Sequence, residues 1–215
     1  RDDDVYTNNT SSHGTWVLST MAGYVESKYV GTAPDASYYL FITEDAVSEN
    51  PVEESYWVEA AERADSLGVD IINTSLGYTT FDNPSYNYTP SDMNGNTAFI
   101  TKGANIAFEK GMLLVNSAGN DGNISWEIVG APADAAGVFT IGAVDASGEY
   151  AYFSSIGSAI QPTQKPDVVA QGLGSAVIDD DDAFIALNGT SFSSPILAGG
   201  IACLWQALPN KTNVE

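Results

Sequence analysis

A chain of 215 residues, 44% of them apolar, is long enough to bury one sizeable core and has the composition of an ordinary globular domain. Its 28 acidic against 7 basic residues give a formal net charge of −21, which excludes nucleic acid and anionic lipid surfaces as primary partners. The sole cysteine, Cys203, excludes an internal disulfide framework, and the longest apolar runs, such as 112–115, are too short to span a bilayer.

In chain order, Arg1 with Asp2, Asp3 and Asp4 is the opposite of a signal peptide's basic and then apolar opening, so the expected start is an internal point of a longer precursor. Residues 15–22 read as a short helix that begins directly after His13. A turn follows at 31–35, and 37–43 (SYYLFIT) is a β-rich run. Glu53 and Glu54 favour the first turn of a helix whose Ala60, Ala61, Ala64 and Leu67 repeat at helical spacing and which Gly68 ends. Residues 69–75 (VDIINTS) read as a buried strand, 78–97 as a long loop, and Ile100, Ala104, Ala107 and Phe108 as a helix stopped at Gly111. Two further apolar strands are expected at 112–118 and 138–144. Asp179–Asp182 separates 176–178 from 183–187 as a hairpin turn would, and a last helix starts near Thr190. Cys203 falls in an apolar helical pattern and reads as a small buried hydrophobe. Strand and helix in alternation argue for one α/β domain: a mostly parallel sheet flanked by helices.

Three segments carry chemistry. HGTWVLSTMAG puts His13 at a helix start beside Gly14, where a substrate backbone has room. VNSAGNDG ends a buried strand in small residues and then Asn120, at the carboxyl end where open α/β sheets bind ligands. NGTSFSSPILAGG puts Ser191 at another helix start, where free N–H groups favour a developing negative charge. Together they supply a base, an oxyanion donor and a nucleophile. Singly, each has an ordinary structural explanation, in a cap, a turn or a core histidine; the joint order gives them weight.

In that order the segments resemble the histidine, oxyanion-asparagine and serine motifs of the subtilisin-like serine proteases (subtilases, peptidase family S8). The segments GTAPDASYYLF, VDIINTSLG, VFTIGAVDASGEYAYFSSIG and KPDVVAQG resemble the family's intervening stretches, so the likeness covers almost all of 1–215. It implies a three-layer subtilisin-like fold, a serine endopeptidase working through an acyl-enzyme, and a polypeptide substrate bound extended. It further implies His13 as base, Ser191 as nucleophile and Asn120 as oxyanion donor. Ser75, Leu76 and Gly77 would form one wall of the substrate cleft, and Ser117, Ala118 and Gly119 the opposite side. Pro195 is expected early in the serine helix. A secreted, monomeric protein without membrane insertion is the matching expectation.

The sequence departs from the family at its start. The family's triad aspartate ends a strand well before the histidine, yet only twelve residues precede His13 and none forms an apolar strand ending in Asp. The expectation is therefore a domain missing its first strand and, by itself, inactive; Asp2, Asp3 or Asp4 as substitutes are disfavoured. No cofactor is expected. The family's calcium loop after the histidine helix is reduced to 23–31 with Glu26 as its one carboxylate, and Asp179–Asp182 lacks the spacing of calcium ligands. Two other classes stay open: a pseudoenzyme that binds without cutting, and a hydrolase using two carboxylates.

Overall fold

The computed structural model describes residues 11–215, so Asp2, Asp3 and Asp4 lie outside the described residues. Four strands, β3 (Ile71–Thr74), β4 (Leu113–Ser117), β5 (Val138–Val144) and β6 (Val168–Gln171), pair in parallel in that spatial order. Successive residues of a strand face opposite ways, and the two faces are covered differently. Leu114 and Val138 pack beneath α2 (Val52–Leu67) and α3 (Phe99–Glu109), with Trp57, Ala61 and Ala104. Val115 and Ile141 pack on the other side against Met21 of α1 (His13–Ala22) and Ala198 of α4 (Thr190–Ala207). Helix on sheet on helix is the three-layer architecture expected. Both faces being buried explains why β4 and β5 read as continuous apolar runs.

Local signals placed most boundaries. Gly68 caps α2 in the left-handed region (φ 74°), donating its N–H to the carbonyls of Ala64 and Asp65. β7 (Ser175–Ile178) and β8 (Phe184–Leu187) form the antiparallel hairpin around the acidic tip. The tip holds the start of α1: Trp16 donates its indole N–H to Asp179 (2.7 Å) and Ser12 its hydroxyl to Asp180 (2.9 Å). Residues 23–31 close as a small antiparallel pair, β1 (Tyr24–Val25) with β2 (Tyr29–Val30).

Three expectations need correction. Residues 37–43 form no strand, and among the described residues no neighbour offers them a ladder. Their β-type composition suits a pleated, paired environment, and such composition alone does not make a strand. Cys203 is exposed and donates its thiol to the Thr32 carbonyl (3.4 Å), because this part of α4 runs out to the surface, where Leu204 is also exposed. Pro195 is the sixth residue of α4, beyond the first-turn positions where its missing N–H is free of cost. The i−4 carbonyl it leaves without a helical donor belongs to Ser191. The Ser75 hydroxyl donates to that oxygen (2.9 Å), tying the end of β3 to the serine helix. Ser75→Ala should therefore cost about 1–3 kcal/mol in urea unfolding, and much less in a Pro195→Ala background where the helix restores the donor.

The loop at 78–97 folds on itself and onto α2, with Tyr78, Phe81 and Met93 buried and Phe81 stacked on Tyr78. Tyr78 donates to Glu44, and Tyr88 to Glu54 (3.0 Å), which also accepts the Ile100 N–H. Glu53, 1% exposed, accepts the N–H groups of Asp45 and Asn50 and thereby shapes the turn before α2. Glu44, Glu49 and Glu53 bring carboxylate oxygens within 4.8 Å of one another. Burial, and then the charges of Glu53, Glu44 and Asp82, push Glu49 up from 4.5 to about 7. A carboxyl that binds its proton more tightly when folded stabilises fully below its unfolded value and loses that contribution as pH rises through the folded one. In chelator-treated protein, stability should thus fall between pH about 4.5 and 7. Glu49→Gln should flatten that decline in thermal melts.

Candidate active site

The carboxyl ends of β3 and β4 and the starts of α1 and α4 meet at one place. His13 is the first residue of α1 and Ser191 the second of α4. The two helices pack together through Val17 and Phe192, and the His13 ring lies 6.2 Å from that of Phe192. Burial holds the imidazole below its ordinary 6.5, so it is neutral near pH 7 and able to accept a proton. The Ser191 hydroxyl is turned to the carbonyl of Ser75 (3.4 Å). Among the described residues no hydrogen bond links it to His13, and no carboxylate is paired with the ring.

Asn120 follows β4, its residue exposed but its amide fixed. Its Oδ1 accepts from the Thr190 N–H (2.9 Å) and the Thr190 hydroxyl (3.1 Å), which turns Nδ2 outward as a donor. Thr190 itself is wholly buried, and its hydroxyl oxygen also accepts from the Gly119 N–H (3.1 Å). One threonine thus orients the asparagine and stitches the β4 turn to the serine helix. The N–H of Ser191 adds a second donor there, one of the first-turn groups an α-helix leaves free. Gly119 sits at φ 101°, and a Cβ there would come 2.8 Å from the Ser155 hydroxyl, so no other residue fits this turn without strain.

Residues 75–77, expected as one wall, follow β3, and 117–119, expected as the other, close β4. Leu76 is half-buried and Gly77 exposed after β3, and the Asn116 amide reaches across from β4 to the Leu76 carbonyl (3.2 Å). Opposite, Ser117 and Ala118 are buried, Ala118 against Val129 and Ala133, so Gly119 and Asn120 are the surface of that wall. The Ser75 side chain donates to the Ser191 carbonyl of α4, and its own carbonyl accepts from the Ser191 hydroxyl. Sequence reasoning missed Thr190 as the residue that fixes Asn120. Its place immediately before Ser191 was the available signal. Thr190→Val keeps the volume but leaves the Gly119 N–H without its partner. We expect a loss of about 1–3 kcal/mol in stability, read from unfolding curves.

A parallel α/β sheet whose strand ends and helix starts collect a serine, a histidine and an asparagine amide is the layout of a serine hydrolase. Residues 1–215 match the profile of the subtilase family, Peptidase_S8, and the chain belongs to that family. It is 33% identical over 207 residues to subtilisin NAT of Bacillus subtilis subsp. natto, covering 95% of this chain and 48% of that protein. To the subtilisin of Bacillus pumilus it is 32% identical, covering 95% and 67%. The self-cleaved protease domain of PatA is similar in structure, with a TM-score of 0.74 and 27% identity over 94% of this chain and 71% of that one. The chain spans about half the length of the first of these relatives.

Proposed function

We propose that this chain belongs to a serine endopeptidase that cuts extended polypeptides through an acyl-enzyme. The observation that carries the reading is the Asn120 amide, its Oδ1 held by the N–H and hydroxyl of Thr190, the residue before Ser191, which leaves Nδ2 as the donor. Such a pre-aimed donor has its use when negative charge develops on a carbonyl oxygen. In the proposed reaction His13 takes the Ser191 proton as Oγ attacks the peptide carbonyl. Asn120 Nδ2 and the Ser191 N–H stabilise the oxyanion, and the imidazolium then protonates the leaving amine. Water, activated by the same imidazole, releases the acyl group. Only side-chain and backbone groups take part, so no cofactor belongs to the proposal. The substrate backbone would run between residues 75–77 and 117–119.

The third member of the triad is a carboxylate from outside the described residues. Without it the chain alone would show little activity, because nothing fixes the imidazole's tautomer or stabilises its charged form. The similarity to subtilisins and the acidic surface favour a secreted, monomeric protein; among the described residues no helix is long and apolar enough to cross a membrane. The test is peptide hydrolysis by an N-terminally extended chain beside the 215-residue chain. Rapid cleavage by the extended chain alone is expected; equal rates would refute the role of the outside carboxylate, and no cleavage by either would favour a binding protein.

A further inference from the structure

Asp121 directly follows the asparagine of the site, and its backbone is fixed on both sides. Its N–H donates to the Ser155 hydroxyl (3.0 Å), and its carbonyl accepts from the Ile124 N–H (3.0 Å). Ser155 is wholly buried and donates its own N–H to the Gly119 carbonyl (3.0 Å), so residues 119–121 are held from one point. The Asp121 side chain leans back over this turn: its Oδ2 lies 3.5 Å from where a Cβ on Gly119 would stand. Asp121 is half-buried, and burial raises its pKa with no charged neighbour taking part. Among the described residues no hydrogen bond or ion pair engages its carboxylate. A carboxylate that has lost part of its water and gained no partner is unfavourable, and a cation placed beside it relieves that cost.

A second acceptor nearby also lacks a donor. Asn116, 1% exposed, donates Nδ2 to the carbonyls of Leu76 (3.2 Å) and Ser117 (2.8 Å), so it lies between the segments expected as walls. Two carbonyl partners fix which end of the amide is the donor, and its Oδ1 has no partner among the described residues. The two unengaged polar atoms, one at the surface and one beneath it, are therefore both acceptors.

We propose that Asp121 selects the substrate: the residue whose carbonyl enters the oxyanion site is lysine or arginine, its charged end held by the Asp121 carboxylate. This inference rests on the proposed reaction, in which that carbonyl oxygen sits against Asn120 Nδ2 and the Ser191 N–H. Neighbouring Cα atoms are about 3.8 Å apart, so a substrate residue anchored at Asn120 has Asp121 within reach of a long side chain. Its methylenes can cross Gly119, which has no side chain to obstruct them, while the ammonium or guanidinium meets Oδ2. With several donors and no acceptor, a basic side chain suits a place whose unengaged atoms are all acceptors. An apolar side chain of the same length would take more water from the carboxylate and leave it unpaired. An acidic one would be repelled by Asp121 and by the net charge of −21.

The test uses the N-terminally extended chain and three peptide p-nitroanilides that differ only in the residue before the scissile bond. That residue is lysine, norleucine (the same chain without the charge) or glutamate. kcat/KM should favour lysine over norleucine about five- to tenfold, with glutamate lowest. Asp121→Asn should bring the ratio of lysine to norleucine to about one, and Asp121→Lys should turn the preference to glutamate. Asp121→Glu keeps the charge and should keep the preference for lysine. Glu62→Gln removes an exposed carboxylate of α2 and should leave the ratio as it is, which separates a local contact from the overall charge. Melting temperatures identify any variant that fails to fold. Cleavage without a preference for lysine, or a preference that survives both Asp121→Asn and Asp121→Lys or falls equally in Glu62→Gln, would overturn the inference and leave the peptidase reading intact. Cleavage of none of the three peptides by the unsubstituted chain would overturn both.

Discussion

On the proposed function, replacing Ser191 by alanine in an N-terminally extended chain should lower kcat about 10⁶-fold, and His13→Ala should do nearly the same. The figure is the one known for the serine and histidine of subtilisin. The expectation has a structural side. Ser191 sits half-buried at the start of α4, its carbonyl held by Ser75 and its neighbour Thr190 bonded to Asn120, so removing the Oγ leaves every one of these contacts in place. A loss without a change in melting temperature would therefore report chemistry and not folding. The two losses should not add, because a serine without a base and a base without a serine fail at the same step. A hydrolase using two carboxylates would keep its activity in both variants.

The second large effect concerns the carboxylate proposed as the partner of His13. Supplying a carboxylate to the ring should raise turnover about 10⁴-fold over the chain alone, the scale on which triad aspartates act. The imidazole reports the same event independently. In the chain alone burial keeps His13 below 6.5, so the neutral base is already dominant at neutral pH and its charged form is disfavoured. This lowered value means that the unfolded chain binds the proton more tightly, so the histidine's contribution to stability is present above 6.5 and lost as pH falls below it. A neighbouring carboxylate reverses the direction by stabilising the imidazolium. The acid limb of kcat/KM in the completed enzyme should accordingly lie at higher pH than the His13 titration of the chain alone.

Much of this architecture was legible because its signals are local. Gly68 and Gly111 follow the last turns of α2 and α3, the acidic run at 179–182 separates two short strands, and His13 and Ser191 open helices whose starts carry small or hydroxyl residues. The apolar runs at 112–118 and 138–144 announced strands buried on both faces. What could not be read depended on partners distant in the chain. Residues 37–43 have the composition of a strand, but a strand exists only beside another, and among the described residues no neighbour offers them a ladder. Cys203 shares its helical pattern with buried residues, and only the three-dimensional course of α4 brings it to the surface. The Ser75 and Thr190 hydroxyls look like ordinary small polar residues until Pro195 frees one carbonyl and Asn120 needs an anchor. The clustering of Glu44, Glu49 and Glu53 likewise comes from the turn before α2, not from their spacing alone.

The most direct measurement is covalent labelling of the N-terminally extended enzyme with a fluorophosphonate, followed by peptide mass spectrometry. The account predicts one adduct, on the Ser191 hydroxyl, formed at a rate that rises as His13 loses its proton and lost in His13→Ala. An adduct on another residue, or peptide hydrolysis that persists undiminished once Ser191 is blocked, would contradict it.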